Sequence, residues 1–397
     1  FAPESDRPPA NLPPPPLLRS FSLMVREGDV ASAGNYQTVQ ARLRAVGTRV
    51  QIYVDDNDLP RVSDLVLRDV AQTFDQFVYP TVARLIGVSR DLDGDGRFTV
   101  LISSWLGRLS SGKLAVDGFV RGADFDPALG APFGNRCDMM YLNANFAPGP
   151  YLRTVIAHEY THAVTFSSKS YIRDPEGPRQ APGHGQPPQH GNGDGVGEDD
   201  GGGSETPGGW KFKPGSEEEG WLDEAVAHLV EDLHGFSRAN LDYRVSAFLN
   251  APERYRLVVE DYYAADLFRS HGNRGSTYLF LRWCAERIGP ELVSTLVRSD
   301  QRGLANLERA AGETFPALYR AWSVDLARSG SRATSTLLSA SADRPAGSIS
   351  WPPIDLRGIM GEWVLAGPRM HPLLRDGVPR TVKLAGTMYS GNLRASL

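Results

Sequence analysis

Cysteine is nearly absent from this chain, whose 397 residues include only Cys137 and Cys284. Two cysteines so far apart in sequence define no disulfide framework, and both a single bridge and two buried thiols remain open. Apolar runs are short as well, and none approaches the roughly 20 residues that a membrane-spanning helix needs. We therefore expect no membrane span.

Excess positive charge is also lacking. The net charge is −5, and the basic residues are dispersed along the chain. Proteins that bind nucleic acid or anionic membranes through charge usually carry a basic patch or stripe. The sequence therefore predicts no nucleic-acid partner.

Composition divides the chain into segments. Residues 1–20 are rich in proline and lack apolar periodicity, which predicts a disordered lead-in. Gly, Pro and polar residues dominate 171–215, which predicts a disordered insertion. Short alternating stretches predict a small β-rich C-terminal module over 336–397, incomplete at its end. The start at Phe1 rather than Met is typical of a processed or trimmed product.

Strand patterns precede helix patterns in the remaining chain. Alternating and β-branched residues in 21–56 predict two or three strands, and apolar residues recur at helical spacing after Val62. Residues from about Arg238 to Ser329 are almost wholly helical in pattern, within a helical subdomain predicted over 216–335. The predicted fold class is α+β, with an N-terminal mixed-sheet subdomain over 21–170 and a C-terminal helical subdomain.

The stretch TVIAHEYTHAVTF contains His158, Glu159 and His162 in the pattern H-E-x-x-H. Its apolar spacing and the prolines just before it predict a helix. Residues four apart lie on one face of a helix, so both imidazoles can face one cation with Glu159 beside it. A catalytic zinc takes three protein ligands, so a third is expected elsewhere. The alternative is a chance match on a surface helix.

A second helical pattern, WLDEAVAHLVE, carries the candidate third ligand Glu224. Most of the residues between His162 and Glu224 belong to the predicted insertion, so the two helices can be close neighbours. Two histidines, one glutamate and a water form a known catalytic zinc arrangement. The rivals for the third ligand are the carboxylates nearby: Glu218, Glu219 and Asp223.

With AHEYTH and WLDEAVAHLVE together, the chain resembles the gluzincin metallopeptidases, and within them the hyicolysin-like family most closely. The segments IYVDD, DLDGDGRFTVLIS and GSTYLFLRWCAERIG extend the resemblance from about Gln51 to about Ala327. It implies a zincin-type metallopeptidase domain over 21–335 that acts on proteins or peptides, and a secreted or extracytoplasmic location. It also implies the site residues: His158, His162 and Glu224 as ligands of one zinc ion, and Glu159 as general base.

The chain departs from thermolysin-like relatives in its second helix. Four residues after the third ligand, those relatives carry a carboxylate that orients a zinc histidine, but this chain has His228. Glu231 matches the acidic residue of the gluzincin helix, with a structural or orienting role. The donor that would stabilise an oxyanion is left open among four candidates: Tyr262, Tyr263, His271 and Tyr278.

A second candidate metal site lies at Asp91, Asp93 and Asp95, which precede Gly96 and the strand FTVLIS. An EF-hand needs Glu at the twelfth position of its loop, where this chain has Ile102. Two interpretations remain, a short calcium-stabilised turn and an ordinary Asx/Gly turn into a strand. Calcium is therefore a weaker cofactor expectation than zinc.

The leading prediction is a zinc-dependent endopeptidase. The G-x-M-E-N segment typical of gluzincin aminopeptidases is absent, which favours internal cleavage. The strand pattern at Asp138 to Asn143 predicts either an edge strand for an extended peptide or an ordinary sheet strand. Two alternatives to an enzyme stay open: a catalytically silent gluzincin-like binding module, and a calcium-stabilised structural secreted protein.

Overall fold

A mixed sheet and a set of helices form the protein, as a computed structural model shows, and the α+β prediction is confirmed. The structure describes residues 12–26, 28–109, 116–173, 205–206, 210–262, 264–265, 267, 270–329, 349, 351–352, 354–356, 359, 382–383 and 392–393.

The main sheet contains β1 (Leu18–Met24), β2 (Tyr36–Val46), β3 (Val50–Asp55), β4 (Phe98–Ser103), β5 (Gly118–Phe119) and β6 (Met139–Asn143). Its strand order is β1-β2-β3-β4-β6-β5. Strands β3, β4 and β6 run parallel, and the other neighbouring pairs are antiparallel. The Asp138 to Asn143 pattern is thus an interior strand, the second of its two predicted alternatives, and β1 and β5 are the edges.

The helices are α1 (Asp64–Thr73), α2 (Tyr79–Leu85), α3 (Pro150–Ser170), α4 (Gly220–His234), α5 (Ala239–Asn250), α6 (His271–Ile288), α7 (Glu291–Arg298), α8 (Gly303–Ala311) and α9 (Phe315–Ser329). A π-helical turn, Phe74–Val78, joins α1 to α2. Helices α4 to α9 lie within the range 216–335, whereas the described residues of 251–270 contain a single 3-10 turn, Pro252–Arg254.

Side-chain alternation gives the sheet two buried faces, because successive residues of a strand point to opposite sides. In β4, Val100 and Ile102 belong to the large core that the helices share. Leu101, between them, belongs to a smaller core on the opposite face. Helix α3 packs in the large core, where the Tyr160 ring lies 4.7 Å from that of Phe74. The sheet therefore supports the helix that carries the H-E-x-x-H pattern.

Two predicted disordered segments are partly ordered. Strand β1 begins at Leu18 rather than after residue 20, and the Tyr53 hydroxyl donates to the carbonyl oxygen of Pro16 at 2.9 Å. In the predicted insertion, β7 (Tyr171–Arg173) pairs antiparallel with β9 (Trp210–Phe212), which also pairs with the two-residue strand β8 (Glu205–Thr206). The rest of that insertion lies outside the described residues.

The predicted C-terminal module is described only in part. Trp351 is buried, and its Nε1 donates to the carbonyl oxygen of Leu229 at 2.8 Å. Ile354 and Leu356 are also buried in the large core. Trp351, Ile354 and Leu356 therefore pack on the helical half, although they fall within the range predicted for the C-terminal module. Further on, β10 (Val382–Lys383) pairs with β11 (Asn392–Leu393).

The structure bears on two expectations drawn from the sequence, one about the two cysteines and one about membrane spans. Cys137 and Cys284 are both buried and free, which is the second of the two alternatives left open. Among the described helices, none combines the length and the apolar character needed to cross a membrane.

Candidate metal centre

Helix α3 places three functional candidates on the wall of one cavity. His158, Glu159 and His162 are each less than a tenth exposed. The helix begins directly after Gly149, whose backbone N–H donates to Asp69 of α1 at 2.7 Å. Arg153, in the first turn, donates to the same carboxylate at 2.8 Å. These contacts fix the start of α3, and therefore the direction in which its histidines point.

Glu224 of α4 meets the two histidines, as its place in the second helical pattern predicted. Its Oε2 atom lies 3.4 Å from His158 Nε2 and 4.0 Å from His162 Nε2. The two Nε2 atoms are 3.1 Å apart. In a tetrahedral site with metal–ligand bonds of about 2.0–2.1 Å, ligand atoms are separated by about 3.4 Å. The three atoms therefore have the spacing of three ligands around one ion.

The other oxygen of Glu224 is held by Arg274 of α6, whose Nη2 donates to Oε1. Burial favours the neutral acid, but Arg274 and the two histidines outweigh it and hold the pKa of Glu224 well below its usual range. Oε2 is buried and has no hydrogen-bond partner among the described residues. A buried carboxylate oxygen without a partner is costly, and a bound cation would satisfy it.

Two further carboxylates orient the histidines from behind. Asp223 Oδ2 lies 2.7 Å from His162 Nδ1, and Glu231 Oε2 lies 3.3 Å from His158 Nδ1. A carboxylate at Nδ1 keeps the proton there, so the lone pair of each Nε2 atom faces the other ring. Burial lowers the pKa of His162, but Asp223 outweighs it and raises the pKa to about 9. The negative carboxylates therefore favour a positive charge at the histidines, either a proton or a metal ion.

The rival third ligands all have other partners. Asp223 occupies the Nδ1 side of His162, away from the ligand atoms. Glu218 pairs with Lys169 at 2.9 Å and accepts from the backbone N–H of Gly303 at 2.6 Å. Glu219 accepts from the indole N–H of Trp221 at 2.7 Å. Of these four acids, Glu224 is the one with an oxygen recorded within 4.0 Å of both Nε2 atoms.

His228 is a site neighbour that the sequence reasoning did not assign. Its Nδ1 lies 2.8 Å from Glu231 Oε2, and its Nε2 lies 3.7 Å from Glu224 Oε2. In the part of the chain that the structure describes, this Nε2 atom has no hydrogen-bond partner. Burial and the charge of Arg244 lower the pKa of His228 to about 3, so the ring is neutral. His158, His228 and Glu231 form a second group with metal-ligand spacing. The signal was available, because His228 follows Glu224 by four residues on one helical face.

The cavity beside these residues has a volume of about 550 Å³. Edge strand β5 forms one wall, since a Cβ at Gly118 would lie 3.0 Å from Glu159 Cγ. Burial raises the pKa of Glu159 above its ordinary value, although both histidines oppose the shift. A carboxylate with a raised pKa beside a potential metal position is suited to proton transfer.

The four oxyanion candidates have different positions. Tyr278 donates to Asp232 at 2.8 Å, away from the cavity. Tyr262 is buried and is not among the described residues that line the cavity. Tyr263 lies outside the described residues. His271, the first residue of α6, lines the cavity, and its ring packs against Tyr243.

The aspartates at 91–95 are arranged as an Asx turn. Asp91 accepts from the backbone N–H groups of Asp95 and Gly96 at 3.1 and 2.9 Å. Asp93 pairs with Arg19 at 2.9 Å, and Asp95 accepts from Arg97 N–H at 2.8 Å. These contacts match the turn interpretation, in which backbone strain is relieved by Asp and Gly.

The chain matches no protein-family model and no curated protein sequence.

Proposed function

We propose that the protein is a zinc-dependent endopeptidase of the zincin type. One observation carries the proposal: His158 Nε2, His162 Nε2 and Glu224 Oε2 lie within 4.0 Å of one another at a cavity wall that also contains Glu159. Three convergent acceptors with a carboxylate beside them form the residue set of a hydrolytic zinc site.

The donor set fits zinc. Two neutral imidazoles and one carboxylate are ligands that this ion accepts, and the unpartnered Oε2 atom of Glu224 gives the ion a place that nothing else in the described residues fills. His158, His162 and Glu224 would hold it. When bound, zinc supplies a Lewis acid that polarises the scissile carbonyl and lowers the pKa of water.

Glu159 provides the proton transfer. As general base it takes a proton from the attacking water, and as general acid it delivers that proton to the nitrogen of the leaving amine. A raised pKa makes Glu159 a better proton acceptor than an ordinary glutamate, and its burial excludes competing bulk water. Asp223 and Glu231 keep the histidine rings in the orientation that the site needs.

Strand β5 offers a place for the substrate backbone. It pairs with β6 on one side only and ends the sheet within the described residues. Its residues line the cavity next to Glu159. An extended peptide can add to such an edge through main-chain hydrogen bonds, which suits a substrate that continues on both sides of the cut.

The direct test is a protease assay on a library of peptides that are acetylated at the N-terminus and amidated at the C-terminus. We expect internal cleavage that a chelator abolishes and added zinc restores. Glu159→Gln protein, loaded with zinc, is the matched inactive control. Absence of cleavage by zinc-loaded protein would overturn the proposal, and residue-by-residue trimming of free-amine peptides alone would replace the endopeptidase with an aminopeptidase.

A further inference from the structure

Arg244 of α5 is a buried cation on the cavity wall. It is 8% exposed, and it lines the same cavity as the histidines and Glu159. Its position is fixed from behind by α6, because a Cβ added at Gly275 would lie 2.2 Å from the carbonyl oxygen of Arg244. The glycine allows the two helices to approach closely, and the arginine is carried by a rigid support.

The hydrogen-bonding capacity of Arg244 is largely unused. Nη1 lies 3.4 Å from His228 Nδ1, but that nitrogen must carry the proton that it donates to the Glu231 carboxylate at 2.8 Å. It has no lone pair left to accept from Arg244. Glu231 Oε2 itself is 3.9 Å from Nη1, which is too far for a hydrogen bond. Nε is buried and has no partner among the described residues.

Three carboxylates at the cavity have partners other than Arg244. Asp117 accepts from the Tyr151 hydroxyl, Asp223 contacts His162 and Glu224 is held by Arg274. A buried guanidinium without hydrogen-bonded acceptors is energetically unfavourable, and it faces a space large enough for a ligand. Its planar fork of N–H groups matches a carboxylate, which can accept two parallel hydrogen bonds.

We propose that Arg244 binds a carboxylate of the substrate and gives the enzyme a preference for an acidic group near the cut bond. The inference rests on the proposed peptidase function and deepens it by naming a substrate class. The carboxylate can come from an Asp or Glu side chain or from the C-terminus of a peptide. Both sources present the same chemistry to Arg244, so the test separates them.

Binding is measured by calorimetry on zinc-loaded Glu159→Gln protein, so that no turnover is required. Peptides blocked at both ends carry Glu or Gln at each position in turn, and one further pair differs only in a C-terminal acid or amide. We expect one Glu peptide, or the C-terminal acid, to bind about 10-fold or more tightly than its neutral partner. The pair that shows the difference identifies the source of the carboxylate.

A second variant in the same background assigns the preference to Arg244. Arg244→Gln should reduce the ratio between charged and neutral peptides to about one, because the neutral amide gains nothing from the charge. Arg68→Gln, on the exposed surface of α1, removes the same charge elsewhere and should leave the ratio unchanged. If Arg244→Gln does not fold, Arg244→Lys should keep a weaker preference.

Equal binding of charged and neutral peptides at every position, or a preference that survives in folded Arg244→Gln protein, overturns the assignment. Failure of the proposed function gives a different result, because wild-type protein would then cleave no peptide while the binding comparison could still be made.

Discussion

Two of the residue clusters with metal-like spacing in the described part of the chain differ in what their oxygens already bind. In the cluster at Asp91, Asp93 and Asp95, backbone N–H groups and Arg19 contact the carboxylates. In the histidine cluster, one buried oxygen of Glu224 has no hydrogen-bond partner among the residues that the structure describes, and it lies 3.4 Å from His158 Nε2. The first arrangement is complete as a turn, and the second is complete only with a positive charge at its centre.

The difference shows why spacing alone is a weak argument for a metal site. In each cluster, the possible ligand atoms lie within 4.8 Å of one another. Only the histidine cluster is backed by groups that orient each ligand atom toward one point: Asp223, Glu231 and Arg274. Such supporting contacts have no use in an ordinary turn, whereas a metal site needs them to fix its ligands.

The largest effect that separates the clusters is on turnover. Glu159→Gln keeps the size of the side chain and removes the base, so turnover should fall by on the order of 10²–10⁴ while zinc stays bound. Asp93→Asn is the matched change in the loop, and its turnover should equal that of wild type. Steady-state cleavage of a blocked peptide measures the turnover of both variants. A loss of turnover in Asp93→Asn would contradict the claim that only the histidine cluster takes part in the reaction.

A smaller effect is expected from the supporting carboxylate Asp223. Asp223→Asn removes the charge behind His162, so zinc affinity should fall by about 10-fold to 100-fold. Competition with a chromophoric chelator gives the dissociation constant. Glu219→Gln, four positions earlier on the same segment, should leave it unchanged, because Glu219 bonds Trp221 instead of a histidine. A similar loss of zinc affinity in both variants would mean that the effect comes from a general disturbance of residues 219–223 and not from the contact between Asp223 and His162.

Close packing between helices α5 and α6 supports the wall of the cavity near the histidine cluster, whereas the turn at Asp91 to Asp95 does not depend on such packing. Gly275→Ala places a methyl group against the backbone of Arg244, so the free energy of unfolding should fall by about 1–3 kcal/mol. Gly122→Ala is the control, since no atom lies within 4 Å of the added Cβ. Urea unfolding followed by fluorescence measures both variants. Equal stability of the two would show that α5 and α6 are not held at this distance.

The smallest effect concerns the segment 174–204, which contains His184 and His190. All three proposed ligands lie outside it. Replacing it by a short Gly/Ser linker should leave the zinc content unchanged and alter the free energy of unfolding by less than about 1 kcal/mol. Loss of zinc from the folded deletion variant would mean that this segment supplies a ligand.

Local periodicity explains which parts of the site were readable from sequence. His158 and His162 are four apart on a helix, and the second helical pattern pointed to Glu224 as the residue facing them. The same rule, applied once more, would have found His228. The helix bounds near Gly149 also followed from local signals, because Pro150 tolerates the first turn.

Other features depend on tertiary contacts and left no local pattern. Arg244 and Arg274 reach the cavity because α5 packs on α6 at Gly275, which no spacing within either helix predicts. Strand β5 has two residues, too few for an alternating pattern, yet it is the edge beside Glu159. The order at β7 and β9 was missed because Arg173 and Trp210 pair across a segment whose composition predicts disorder.

The most direct test of the account is the zinc content of purified, folded protein, measured for wild type and for Glu224→Gln, Glu219→Gln and Asp93→Asn. The account predicts about one zinc per chain in wild type and in the last two variants, and little or none in Glu224→Gln, which keeps only two neutral imidazoles. Zinc retained at full stoichiometry by folded Glu224→Gln protein, or lost from Asp93→Asn, would contradict it.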